Sequence, residues 1–216
     1  MATNKKATSP FIVLDKPALV LRISRPDGLS RNGFYWPTEG PVTCPDWLEE
    51  AECGNGLHGW LHGEGDHGVA DSELFTMPDA LWLAVEVTSY IELQGKVKFP
   101  AGMVVCSGDR LKVTEYLRAN GCNGAIIGAT QIAGDEGTAT AGDAGTATAG
   151  YAGTATAGNE GTATAGNRGT ILIKRWNGKR YRFALGNIGE DTDATGAVLE
   201  ANVAYKLNDE GQFIKA

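Results

Sequence analysis

The chain has 216 residues, 42% apolar and 21% charged, enough for one large or two small domains and too apolar for wholesale disorder. Its net charge of -7 argues against broad binding to nucleic acid or anionic membranes. No apolar run approaches the ~20 residues of a membrane span. Residues 1–9 are polar and read as a flexible terminus that leads into no signal-peptide core, so the expected compartment is the cytoplasm (of a host cell, for a phage-encoded chain) or a virion. The cysteines at 44, 53, 106 and 122 are too scattered for a disulfide scaffold and are expected as free thiols.

Residues 10–124 read as an α+β domain. Stretches 11–15 and 18–24 are strand-like and meet near Pro17. Residues 81–88 (LWLAVEVT) form a strand, and 90–93 and 96–99 flank Gln94-Gly95, a tight-turn pair. Residues 103–106 form another buried strand. Ser107 is placed to cap a helix over 109–120, with Val113, Tyr116 and Leu117 on one face and Gly121 ending it.

All three histidines, His58, His62 and His67, fall in CGNGLHGWLHGEGDHG, with Cys53 at its start. Cysteine and histidine together suit zinc, and the glycines would let the segment wrap an ion, so Cys53, His58, His62 and His67 are a candidate zinc set. The structural alternative, with no cofactor, is a glycine-rich loop whose histidines are solvated or packed on Trp47 and Trp60. Gly63 to Gly68 matches G-x-G-x-x-G, but the sequence predicts neither a strand before it nor a helix after it, the setting the dinucleotide fingerprint requires, and that reading is rejected.

From Ala133 the sequence repeats every eight residues: AGDEGTAT, AGDAGTAT, AGYAGTAT, AGNEGTAT and AGNRGTIL. The preceding AIIGATQI keeps the frame as a degenerate first unit. A short unbroken period is the signature of a solenoid. Thr-Ala-Thr-Ala alternates between two faces as a strand does. The following Gly-x-x-Gly offers positive φ for a corner. Two opposed octads would close one flattened coil, giving a β-solenoid over 125–172 with alanines inside. Threonines sixteen apart would stack, Thr138 over Thr154 and Thr146 over Thr162. The outward ladders Thr138, Thr140, Thr146, Thr148, Thr154, Thr156, Thr162 and Thr164 are candidate binding residues. An alanine interior hides little apolar surface, so the array needs neighbours at both ends. Ile126, Ile127 and Ile132, and Ile171, Leu172 and Ile173, are the expected apolar junctions.

Residues 173–216 read as a small β cap. Asn177-Gly178 between strand-like runs is a hairpin signal that asks positive φ of both turn residues. Tyr181, Phe183 and Leu185 are expected on the inner face. A second hairpin pairs 204–207 with 212–214 through Asp209-Glu210-Gly211. Lys174, Arg175, Lys179, Arg180 and Arg182, interleaved with Trp176 and Tyr181, make a candidate anion-binding face; a solvated hairpin is the plainer alternative.

The tract 125–172 resembles the repeats of bacterial ice-nucleation proteins, whose sixteen-residue coils are two octads with Thr-x-Thr strands. The chain also resembles uncharacterised phage and bacterial proteins that carry AGxxGTATAG arrays, a likeness extending over GFYWPTEGP, CPDW, ECGNGLHG and RWNGKRYR. The first resemblance implies ice binding through the threonine ladders. Gly-Leu-His is loosely similar to ADP-ribosyltransferase-like folds, which implies an enzyme in which His58 holds a ribose and Glu86 or Glu92 is the acid. The reading that combines these is a non-enzymatic, phage-linked binding or structural protein. It would act on a protein partner, as an assembly component or as an inhibitor of a host factor. Exposed strand edges favour a homo-oligomer.

Overall fold

The computed structural model describes residues 10–30, 32–70 and 73–216; the terminus 1–9 expected to be flexible lies outside the described residues. Six antiparallel strands build the N-terminal domain: β1 (Phe11–Ser24), β2 (Gly40–Thr43), β3 (Leu57–Leu61), β4 (Leu81–Leu93), β5 (Lys96–Phe99) and β6 (Ala101–Gly108). β1 pairs with both β3 and β4, and β5 joins β3 to β4, so these four strands pair in a closed cycle. The two expected N-terminal strands are one strand. Lys16 and Pro17 are absorbed by a register shift between Val13 and Ala18, because proline lacks the N–H a regular ladder needs.

Apolar side chains cover both faces of this sheet. Val20, Trp36, Leu57, Leu83, Val85 and Phe99 fill one core. On the other face Leu21, Ile23, Trp60, Trp82 and Ala84 meet Val113 and Leu117 of helix α2 (Arg110–Ala119) and, from the first octad, Ile126 and Ile127. The cap of α2 is Asp109, whose Oδ1 accepts from Lys112 N at 2.8 Å, not Ser107, which is still in β6. A second helix, α1 (Glu73–Thr76), and a 3-10 turn at His67–Val69 were not legible beforehand; both are too short to show a helical period. Among the described residues no helix is long and apolar enough to cross a membrane.

Short strands then alternate between two sheets. β7 (Thr130–Ile132), β9 (Thr146–Ala149) and β11 (Thr162–Ala165) pair in parallel in one; β8 (Thr138–Thr140), β10 (Thr154–Ala157) and β12 (Thr170–Trp176) pair in parallel in the other. The register steps by sixteen residues, Thr138 beside Thr154 and Thr146 beside Thr162. Ala139, Ala147, Ala155 and Ala163 are buried between the sheets.

The corners differ from expectation. Positive φ falls on the residue between the glycines, at Glu136, Ala144, Ala152, Glu160 and Arg168 (φ 50–59°). Each such non-glycine residue costs about 1 kcal/mol or more. The corner amides offset this by bonding across to the neighbouring strand level, as in Ala144 N to Asn159 O at 2.8 Å. Glycine serves close stacking instead: a Cβ on Gly158 would lie 2.3 Å from Asp143 N.

The alanine core runs on into Ile171, Ile173, Ile188, Leu199, Tyr205 and Phe213 of the C-terminal cap. There β13 (Tyr181–Asn187) pairs antiparallel with β12, while β14 (Tyr205–Leu207) pairs with β15 (Phe213–Lys215) and touches β11. Three expectations fail here. Phe183 (63% exposed) and Leu185 (56%) face solvent, because the inner side of β13 is taken by Ala184 and by Gly186, which lies against Leu199 and Phe213. Asn177 does not adopt positive φ: the loop spans four residues, and its Oδ1 accepts from Lys179 N and Arg180 N. Ile132 is 78% exposed and Leu172 half-buried, on the outward side of their strands rather than at a junction.

Candidate functional site: the threonine faces and the junction

Strand alternation sends the alanines of Thr-Ala-Thr inward and leaves the threonines outward on both sheets. One face carries Thr138, Thr154 and Thr170 in one row and Thr140, Thr156 and Leu172 in the next. The opposite face carries Thr130, Thr146 and Thr162 beside Ile132, Thr148 and Thr164. With strands about 4.8 Å apart, three rungs span only ~10 Å. The eight threonines expected as binding residues therefore form two small patches, ordered by the backbone ladders and not by side-chain bonds.

A second site lies where the N-terminal domain meets the array. Trp60 Nε1 donates to Asp66 O at 2.9 Å, and Asp66 Oδ1 accepts from Gly68 N, capping the 3-10 turn. Phe75 of α1 packs edge-on to Trp60, Trp82 and the His67 ring. This aromatic wall drives His67, 2% exposed, into the corners of the array. Nδ1 lies 3.2 Å from Asp143 Oδ2, and Nε2 lies 3.2 Å from Glu160 Oε2. Asp143 is 1% exposed; its Oδ1 also receives Lys174 Nζ at 2.7 Å and Asn159 N at 2.8 Å. Tyr181 completes the set: Lys174 Nζ lies 4.5 Å above its ring, and burial, with Asp66 next in effect, raises its pKa.

Burial works against the charged form of His67, but its bonds to Asp143 and Glu160 win and raise its pKa. Burial likewise opposes the Asp143 carboxylate, and the bonds from His67, Lys174 and Asn159 outweigh it and lower its pKa. Two limbs of pH dependence follow by linkage. The His67 contribution is complete below its ordinary value of 6.5 and fades as pH rises through the raised folded value. That of Asp143 is complete above 3.8 and fades as pH falls through the lowered one. The urea midpoint of the wild type is thus expected to decline on raising the pH from about 6 to about 9, and His67→Gln to flatten that decline; parallel profiles would refute the assignment.

The candidate zinc ligands are not gathered into one cluster. His58 sits on β3 and lines a cleft that Cys53 also borders. His62 is exposed, with Nδ1 3.9 Å from Cys122 Sγ. His67 belongs to the junction. Among the described residues, the group with metal-ligand spacing is Asp66, His67 and Asp143, whose ligand atoms lie within 4.8 Å of one another. There the Lys174 ammonium already supplies a cation. Glu86 and Glu92 lie on β4, paired with Leu19 and Val97, and neither lines the His58 cleft. The basic hairpin is divided. Lys174 turns to Asp143, Arg175 is half-buried, and Lys179, Arg180 and Arg182 are exposed. The junction carboxylate was missed as a partner, although Asp143 and Glu160 both stand in the octad corners; only the sixteen-residue register reveals that they flank one point.

Comparison with known proteins adds one consistent likeness. The chain is 34% identical over 106 residues to an ice nucleation protein of Xanthomonas campestris pv. translucens, covering 47% of this chain and 6% of that protein. It is 35% identical over 112 residues to one of Pseudomonas syringae (50% and 9%), and 34% identical over 106 residues to one of Pseudomonas fluorescens (47% and 8%). The alignment is more than twice as long as the octapeptide tract, so the likeness reaches beyond the repeats. No family model and no solved structure matches. The chain is thus similar, over about half its length, to proteins named ice nucleation protein, and it spans less than a tenth of theirs.

Proposed function

We propose that the protein is a non-enzymatic, repeat-built structural and binding protein whose residues 125–172 form a short β-solenoid with two octads per coil. The observation that carries this reading is the sixteen-residue register repeated in both sheets, with alanines inside and threonines outside. Each coil contacts only its neighbours, so coil number sets length without altering the end domains. The array is a spacer of defined length, closed by the N-terminal domain at one end and by the hairpin cap at the other, and its flat sides offer the contact surface for a protein partner. Spin labels on exposed Cys53 and on a Glu210→Cys variant test it. Inserting a second copy of residues 149–164 after Thr164 should lengthen the label separation by about one strand spacing, ~5 Å. An unchanged distance or a lost cap would overturn the spacer reading.

The likeness to ice nucleation proteins and the open threonine rows favour a second reading, ice binding. Because each patch spans only ~10 Å, any ice shaping is expected to be weak. Thr146→Lys with Thr162→Lys, which places like charges on adjacent rungs, should abolish it. Ice-crystal morphology and recrystallisation assays on the wild type and this variant decide between surface and spacer.

A further inference from the structure

β13 is the outermost strand of its sheet, with β12 as its one neighbour among the described residues. The ladder between them is bracketed by Asn177 N donating to Arg180 O at 3.2 Å and Ile188 N donating to Gly169 O at 2.9 Å. Hydrogen-bonded pairs alternate along an antiparallel ladder. Arg182, Ala184 and Gly186 therefore direct their N–H and C=O groups to β12, and Tyr181, Phe183, Leu185 and Asn187 direct theirs to the open edge. Asn187 is already engaged there: its N–H donates to Asp191 Oδ2 at 2.7 Å, and its C=O accepts from Glu190 N and Asp191 N. The edge groups of Phe183 and Leu185 have no partner among the described residues.

The side chains add an apolar strip to this edge. Phe183 and Leu185 are exposed, and Leu185 pairs across the ladder with half-buried Leu172. Natural edges are blunted by proline, by a bulge or by short length; β13 has 7 residues, no proline and a continuous register. An edge of this kind takes another strand, and the sequence of β13 is matched to itself. Laid antiparallel on a second β13 about Ala184, Phe183 falls opposite Leu185 and Leu185 opposite Phe183, so each exposed apolar side chain meets another. The same register sets outward N–H and C=O groups against outward ones, as a ladder requires. Charge agrees with it. The exposed basic residues Lys179, Arg180 and Arg182 at one end come beside exposed Glu190 and Asp191 at the other end of the second copy; a parallel pairing would set like charge against like.

We propose that β13 is a dimer contact: a second copy of this chain pairs antiparallel along it, Phe183 opposite Leu185, and the two four-stranded sheets become one continuous sheet. Phe183 N–H donates to Leu185 O of the second copy, Leu185 N–H donates to Phe183 O, and the symmetry repeats both bonds. The ladder stops at Asn187, whose edge groups are held by its own turn. The contact is isologous and consumes the edge, so assembly through it closes at two copies.

Sedimentation equilibrium of the full chain tests this. The mass should rise with concentration from 22.7 kDa to twice that value; a monomer at every concentration up to ~0.1 mM overturns the proposal. Leu185→Lys, at an exposed position, sets a charge against Phe183 in both halves of the contact and should weaken association at least about tenfold; unchanged association overturns it. The register is read in a Cys53→Ser background, which removes the exposed thiol. There Ala184→Cys, on the dyad in a closely spaced pair, should form an interchain disulfide on mild oxidation, and Arg182→Cys should not; no disulfide in the first, or one in the second, refutes the pairing. Should a variant misfold, amide exchange in the wild type decides. The N–H groups of Phe183 and Leu185 should exchange more slowly as protein concentration rises, and exchange independent of concentration refutes the contact.

Discussion

Deletion of residues 149–164 is expected to leave a protein that still unfolds cooperatively, whereas deletion of 157–164 alone should abolish the folded C-terminal half. The first removes one strand from each sheet, β10 and β11, and lets β12 pair with β8 as it pairs with β10. Alanines still meet alanines, and Asp143 keeps His67, at the loss of Glu160 and of the Asn159 Oδ1 that accepts from Trp176 N at 2.7 Å. The shorter deletion shifts every later element by one octad and moves β12, with β13 beside it, into the sheet of β7 and β9. The cap core formed by Ile171, Ile173, Leu199, Tyr205 and Phe213 then has no matching surface, and Lys174 emerges at the corner row opposite Asp143. Circular dichroism with urea titration of the two variants checks this. A stable eight-residue deletion would contradict the two-octad register.

The second large effect is expected at Asp143. Replacing it with alanine strands a buried imidazolium and the Lys174 ammonium and leaves Asn159 N without its acceptor. Breaking a buried ion pair from one side costs about 3 kcal/mol or more, and here the loss falls on the seam, so the single urea transition should split into two. Asp143→Asn should be milder, since the equivalent corner residue Asn159 already accepts a backbone N–H in the same manner. Glu160 also touches His67 but is 67% exposed, so Glu160→Gln should cost no more than ~1 kcal/mol. Equal losses for Asp143→Ala and Glu160→Gln would show that the seam does not depend on the buried carboxylate.

The repeat tract was the most legible part of the chain because its information is periodic. Thr-x-Thr fixes the strand, alanine fixes which side faces in, and a period of eight with two sheets fixes the register. Legibility ended wherever a residue serves a neighbour remote in sequence. Asp143 and His67 are 76 positions apart, and neither reads as buried or paired from its local context. Phe183 and Leu185 alternate as an inner face should, but the opposite side of β13 carries Gly186, whose missing side chain lets Leu199 and Phe213 approach. The corner conformation was misassigned for a related reason. Glycine was expected to supply positive φ, while its place is set by the backbone of the neighbouring strand level lying against it, as Asp143 lies against Gly158, a contact that appears only once the strands are paired.

The two-sheet alternation also bears on how such a gene can change length. Slippage during replication of a repetitive tract adds or removes single repeat units, yet one unit transposes everything downstream to the wrong side of the molecule. Only paired events preserve the seam and the cap together, so surviving alleles should differ by even numbers of units, with odd-numbered intermediates purged as misfolded chains.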